Sequence, residues 1–265
     1  MYSPIQLAFK YCRYFIRSAN GKGHGVHSPF VFEFIIKILK EDIKRSAFIL
    51  IESIREHLLA DDSILQVKDF GAGSAVIKSN NRVVKNIAAS SLKSKKIARL
   101  LYRMVQHYKP SNIIELGTSF GITTSYLALA SQHTPVYTLE GDSSIASVAL
   151  KNFSALNIRN VNLLRGSFDE MLPALLDETK SVGMVFIDGN HRKAATLRYF
   201  ELLLQYSNES AILVFDDIHW SREMEEAWEV IKENHQVTLS IDLFYIGIIF
   251  FKKEFKVKQH FSIRF

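Results

Sequence analysis

Ile113-Ile114-Glu115-Leu116-Gly117-Thr118-Ser119-Phe120-Gly121-Ile122-Thr123-Thr124 is the stretch on which the fold turns: an apolar run breaks into Glu-x-Gly-x-x-x-Gly and then becomes amphipathic. A strand, a glycine turn and a helix start in that order open a βαβ nucleotide-binding unit. The turn is not the dinucleotide fingerprint Gly-x-Gly-x-x-Gly, whose middle glycine lets the backbone approach a pyrophosphate. Ser119 and Phe120 fill that space. Further on, the β-rich run Val136-Tyr137-Thr138-Leu139 ends in Glu140, 19 residues beyond Gly121. An acid at about 20 residues from the glycines accepts hydrogen bonds from ribose hydroxyls in such units.

A nucleoside cofactor without a pyrophosphate, carrying a cationic amino-acid tail, suits this turn, and S-adenosylmethionine is the commonest such molecule. The run Glu115 to Gly121, read as ELGTSFG, resembles the class I methyltransferases, most closely the catechol and caffeoyl-CoA O-methyltransferase branch. That resemblance implies a Rossmann-like, doubly wound α/β fold whose seven-stranded sheet has an antiparallel last strand. It also assigns Glu115, Gly117, Thr118, Ser119, Gly121, Glu140 and Gly141 to the cofactor, with the adenine against Ser167, Phe168 and Asp169 after the third strand. A competing Asp-x-Gly-x-Gly in Val67 to Ser74 lacks an amphipathic start and an acid-ended strand downstream, and reads as a loop.

From Asn112 onward strands and helices alternate, with strands near 112–117, 136–140, 161–165, 183–188 and 211–216. Continuous apolar runs such as Met184-Val185-Phe186-Ile187 fit strands buried on both faces of a parallel sheet. Residues 237–241 and 244–251 are too close for a helical crossover and should form an antiparallel hairpin. The domain boundaries expected are a helical appendage with loops over residues 1–92 and the Rossmann-like domain over 93–265. In the appendage Ile5, Phe9, Cys12, Phe15 and Ile16 keep helical spacing and Pro29 opens a second helix; past it, the stripe from Ile97 to Tyr108 stops before Pro110 and leads into the first strand.

Ligands of open α/β sheets bind at the carboxyl ends of strands, which draws the eye to Asp188-Gly189-Asn190-His191 and Asp216-Asp217-Ile218-His219. Three carboxylates at one edge repel each other unless a cation or donors offset them, and oxygen ligands suit a hard ion such as Mg²⁺. The resemblance implies metal ligands at Asp188, Asp216 and Asp217, the last standing where Asn is usual, and cofactor contact at Asp188. It puts the catalytic base, a Lys in the catechol enzymes, at His191. An imidazole is suited to deprotonating a hydroxyl already acidified by a metal or by conjugation. His219 is a second candidate by spacing.

Across 265 residues, 48% hydrophobic and 23% charged composition is that of a globular protein with a large core. One cysteine, Cys12, excludes an internal disulfide, no apolar run reaches membrane-spanning length, and no signal pattern opens the chain, so a cytoplasmic protein is expected. The net charge of +6 is concentrated at the ends, where residues 1–50 hold eight Lys/Arg against three Asp/Glu. Basic ends with interleaved aromatics suit RNA or an anionic surface, while a solvated cationic face with inward-packed aromatics is the blander account. The expected activity is therefore methylation of a small hydroxylated acceptor by a chain that also allows a homodimer. An RNA (tRNA) hydroxyl as acceptor and a non-catalytic cofactor-binding module are the alternatives.

Overall fold

The computed structural model describes residues 1–19, 21, 27–40, 46–67 and 81–265. Helix α1 (Pro4–Arg17) is followed by α2 (Pro29–Glu33), which continues as a π-helical turn at Phe34–Leu39, and by α3 (Ser46–Ala60). An antiparallel pair, β1 (Ile64–Gln66) and β2 (Asn81–Val83), precedes α4 (Val84–Ser91) and α5 (Lys95–Tyr108). Strands and helices then alternate through β3 (Ile113–Leu116), α6 (Ile122–Ala130), β4 (Val136–Glu140), α7 (Ser143–Ala155), β5 (Val161–Arg165) and α8 (Phe168–Thr179). The alternation goes on through β6 (Val182–Ile187), α9 (Lys193–Leu204), β7 (Ser207–Asp216) and α10 (Arg222–Glu233). Three strands close the chain, β8 (Leu239–Asp242), β9 (Ile246–Phe250) and β10 (Gln259–Ser262). The second glycine-rich stretch, Asp69 to Ser74, lies outside the described residues.

The chain divides into two compact units, Met1–Glu41 with Thr179–Phe265, and Asp42–Glu178. Within Asp42–Glu178 the strands run parallel in the order β3-β4-β5, and their register pairs Leu116 with Leu139 and Glu140 with Arg165. Their carboxyl ends therefore finish level, and the loops that follow emerge on one edge. All four residues of β3 are buried, as expected of a strand covered on both faces. Helix α5 starts on a Ser94 side-chain cap and ends where Lys109 turns left-handed ahead of Pro110. Phe120, within the turn, is fully buried in a cluster with Phe48, Ile51, Tyr102, Ile122 and Tyr126. Its ring fixes the turn to the helices beneath, which a glycine there would not do.

Within the other unit β6 and β7 are parallel and joined by α9, while β9 runs antiparallel to both β7 and β8. Strands β3 to β9 are the seven implied by the family resemblance, the last of them antiparallel. The expected count is exceeded by β10, which pairs in parallel with β8. Gln259-His260-Phe261-Ser262 alternates between exposed and half-buried positions and lacks the continuous apolar character that marks the inner strands. On β9, a Cβ added to Gly247 would stand 2.7 Å from the buried Trp228 indole, so this glycine makes room for the largest core side chain of α10.

Candidate functional site

The turn after β3 is held in a shape that few sequences adopt. Gly117 (φ 109°), Ser119 (φ 48°) and Gly121 (φ 76°) all take positive φ, and Gly121 caps α6. A side chain at Gly121 would place Cβ 2.5 Å from the Phe153 ring of α7. The backbone N–H groups of Gly117 and Thr118 both donate to the carbonyl of Leu139 at 3.1 Å, which ties the turn to the end of β4. There Glu140 accepts from the N–H of Ser119 at 2.9 Å on one carboxylate oxygen and from the N–H of Asp142 at 3.0 Å on the other. Burial raises its pKa, and the N–H groups of Asp142, Ser119 and Gly141 work against that rise by favouring the carboxylate. Glu140 is thus a fixed acceptor at the turn, with lone pairs left over for two adjacent hydroxyls.

Glu115 behaves differently. It is fully buried, and its Oε2 accepts from the hydroxyls of Thr124 on α6 and Thr138 on β4, the latter at 2.6 Å. Oε1 has no hydrogen-bond partner among the described residues. Burial pushes its carboxyl pKa up to about 7, with the two threonines opposing. Glu115 ties strand, helix and neighbouring strand beneath the turn, and its remaining oxygen is an orphaned buried polar atom of the kind a ligand group satisfies. Thr118 meets Thr138 at 2.6 Å, and Ser119 Oγ lies 2.7 Å from Ser91 Oγ on α4. Thr124, Thr138 and Ser91 carry no motif by which the sequence alone would mark them. Beyond β5, Gly166 donates to the Glu140 carbonyl at 3.0 Å. Ser167 precedes α8, half-buried Phe168 opens it and Asp169 is exposed in its first turn.

In the other unit, Asp188 follows β6 and the buried Asp216 ends β7. One ligand atom each from Asp188, His191 and Asp216 lies within 4.8 Å of the others. His191 Nε2 stands 3.7 Å from Asp188 Oδ1 and 3.9 Å from Asp217 Oδ2, with the Trp220 ring centroid 5.9 Å from its own. These separations are too long for hydrogen bonds, and they leave room for a proton-bearing group or an ion among them. Asp217 takes a left-handed conformation (φ 56°) and its carbonyl accepts from the N–H of Trp220. Asp and Asn are the residues that tolerate that backbone region best after glycine, so the turn constrains this position whatever its side chain does. Two carboxylates fit a hard divalent cation such as Mg²⁺ or Mn²⁺, and adding the imidazole shifts the donor set toward a borderline ion such as Fe²⁺ or Zn²⁺.

His219 is engaged elsewhere. Its Nδ1 is 3.0 Å from Glu225 and its Nε2 2.9 Å from Asp242, and the ring stacks on Phe244. Burial works against its charge, yet the two carboxylates hold its pKa above the usual value. Glu225 also receives Lys10 at 2.9 Å and the Tyr2 hydroxyl at 2.7 Å, so the network anchors α1. With both nitrogens bound to carboxylates, this imidazole is structural.

Residues 114–218 match the family model described as a methyltransferase domain. A catechol O-methyltransferase of Niastella koreensis is 31% identical over 123 residues, covering 45% of this chain and 55% of that protein. A tRNA (guanine-N(7)-)-methyltransferase of Mycoplasma mobile is 25% identical over 111 residues, covering 40% of this chain and 55% of that protein. The chain thus aligns with about half the length of the curated relatives it matches. Among solved structures, the SAH-bound methyltransferase PaMTH1 of Podospora anserina superposes with a TM-score of 0.59 over 96% of this chain and 98% of that one, at 12% identity. That likeness is one of fold, a Rossmann-like α/β architecture shared with that methyltransferase.

Proposed function

We propose that the protein is an S-adenosylmethionine-dependent O-methyltransferase of small hydroxylated acceptors. One observation supports this reading above the rest: Glu140 is clamped by the backbone of the glycine turn, one carboxylate oxygen on Ser119 and the other on Asp142, as an acceptor for a ribose diol. S-adenosylmethionine supplies a methyl group on a sulfonium, transferred to an acceptor oxygen by in-line displacement that leaves the thioether SAH. Glu140 would hold the ribose hydroxyls of the nucleoside, and the turn from Gly117 to Gly121 would supply the backbone beside it. His191 takes the acceptor's hydroxyl proton onto Nε2 as the C–O bond forms, and returns it to solvent. Asp188 and Asp216 would hold a divalent cation whose charge acidifies that hydroxyl. The catechol O-methyltransferase relative supports a diol as acceptor.

The tRNA methyltransferase relative and the basic ends favour a second reading, an RNA acceptor. Turnover decides between them. The purified chain is given S-adenosylmethionine with catechol or with bulk tRNA, with and without chelator. Catechol methylation that chelator abolishes and Mn²⁺ or Mg²⁺ restores is the expected result. Methylation of tRNA alone, weakening steeply with salt as phosphate contacts require, would replace the acceptor. Binding of the cofactor without turnover on either would leave a non-catalytic module.

A further inference from the structure

Helix α1 has two faces of opposite character. One is anchored to its own unit: Lys10 pairs with Glu225 at 2.9 Å, the Tyr14 hydroxyl donates to the carbonyls of Asp242 and Ile263, and Tyr11 meets Phe244 edge-on at 5.1 Å. On the other, Ile5, Phe9, Cys12 and Ile16 are spaced by four, three and four residues, which places them on one stripe of a helix. All four are exposed, Ile5 at 75% and Phe9 and Ile16 at 77% each. Exposed Arg13 and Arg17 border this stripe along one margin. Along the other lies Phe15, with the Arg264 guanidinium 4.3 Å over its ring. The helix carries Lys10, Arg13 and Arg17 and no carboxylate. The aromatics of this basic end are therefore divided: Tyr11 and Tyr14 pack inward, and Phe9 and Phe15 face out.

Single exposed apolar residues need no explanation, but a continuous stripe with cationic margins does. We propose that α1 is a docking element for an anionic phospholipid surface, with Ile5, Phe9, Cys12 and Ile16 entering the headgroup–acyl boundary and Arg13, Arg17 and Arg264 meeting the lipid anions. Charge selects this occupant. A second copy of α1 would set arginine against arginine with no carboxylate on either helix to receive it. The stripe of one 14-residue helix is also small beside the roughly 800 Å² per partner of a stable protein interface. RNA would satisfy the arginines and leave the apolar stripe in water. Because α1 is already folded and anchored through Glu225, docking requires no ordering of the helix. The inference stands independently of the methyl-transfer reading.

The test is cosedimentation of the 265-residue chain with vesicles of phosphatidylcholine alone or mixed with phosphatidylserine. The chain should bind the anionic vesicles at least about tenfold more tightly than the neutral ones, and less tightly as salt rises. Phe9→Ser combined with Ile16→Ser should reduce that binding at least about tenfold at unchanged melting temperature, since neither side chain packs against the fold. Arg13→Gln with Arg17→Gln should remove the preference for anionic lipid. A chain that stays in the supernatant with anionic vesicles, or a serine variant that binds as well as wild type, overturns the proposal. So does a concentration-dependent dimer that the serine variant dissociates, which would give the face to a second copy. RNA binding lost in the glutamine variant and kept in the serine variant would give it to nucleic acid.

Discussion

Glu140, Glu115 and His191 differ in their surroundings, and so do the outcomes expected of changing each. Burial raises the pKa of both glutamates; at Glu140 the backbone N–H donors of the turn oppose the rise, and at Glu115, two residues before the turn, the Thr124 and Thr138 hydroxyls oppose it. Because the Glu115 carboxyl titrates at about 7 in the folded chain and near 4.5 when unfolded, the folded state holds the extra proton between those values. Its contribution to stability is fully present below pH 4.5 and is lost as pH rises to about 7. Over that window wild type should lose on the order of 3 kcal/mol relative to Glu115→Gln, measured by urea unfolding at pH 5 and pH 8. Parallel profiles for the two proteins would remove the buried proton. For His191 the expected outcome is different in kind. His191→Ala should keep its melting temperature and cofactor affinity and lose about 10²- to 10⁴-fold in turnover. A variant that melts early and loses cofactor would make His191 a structural residue like His219.

At the scale of elements, the strand–turn–helix of β3, Gly117 to Gly121 and α6 decides the local geometry, and Gly121 is its most constrained point. Gly121→Ala combines a left-handed backbone costing about 1–2 kcal/mol with a Cβ 2.5 Å from the Phe153 ring. It should lower the melting temperature by several degrees and weaken cofactor binding; an unchanged melting curve would mean that α7 yields readily. The inner strands are legible because burial on both faces leaves a continuous apolar run: β3 (Ile113–Leu116) and β6 (Val182–Ile187), buried at every residue, lie within a residue of where the sequence puts them. Strand β7 extends further back than its apolar run, to Ser207, because its exposed first residues carry Asn208 and Glu209. β10 escaped notice because a short edge strand with one partner needs no apolar pattern. The spacing of α1 identified a helix but not its orientation. Tyr11 and Tyr14 face inward because Phe244 and the carbonyls of Asp242 and Ile263 await them, and those partners lie over 200 residues away in sequence. The Asp188–His191–Asp216 grouping was partly legible, since strand ends converge by rule. Its exact membership depends on the turn after β7, where Asp217 turns left-handed.

For the molecule as a whole, a Rossmann-like fold supplies the frame, and the proposed activity requires that the turn at Gly117 to Gly121 hold S-adenosylmethionine. Fold alone does not fix function, and the acceptor depends on segments without a motif. Donor binding is a narrower question and can be asked directly. Calorimetric titration of the 265-residue chain with S-adenosylhomocysteine tests it, with NAD as the control and Glu140→Ala as the variant. Saturable binding of S-adenosylhomocysteine, none of NAD, and a loss of roughly 1.5–3 kcal/mol in the variant, as expected for a pair of charge-assisted hydrogen bonds, is the predicted result. An affinity for S-adenosylhomocysteine that Glu140→Ala leaves unchanged, or its absence from the wild-type chain, would contradict the account.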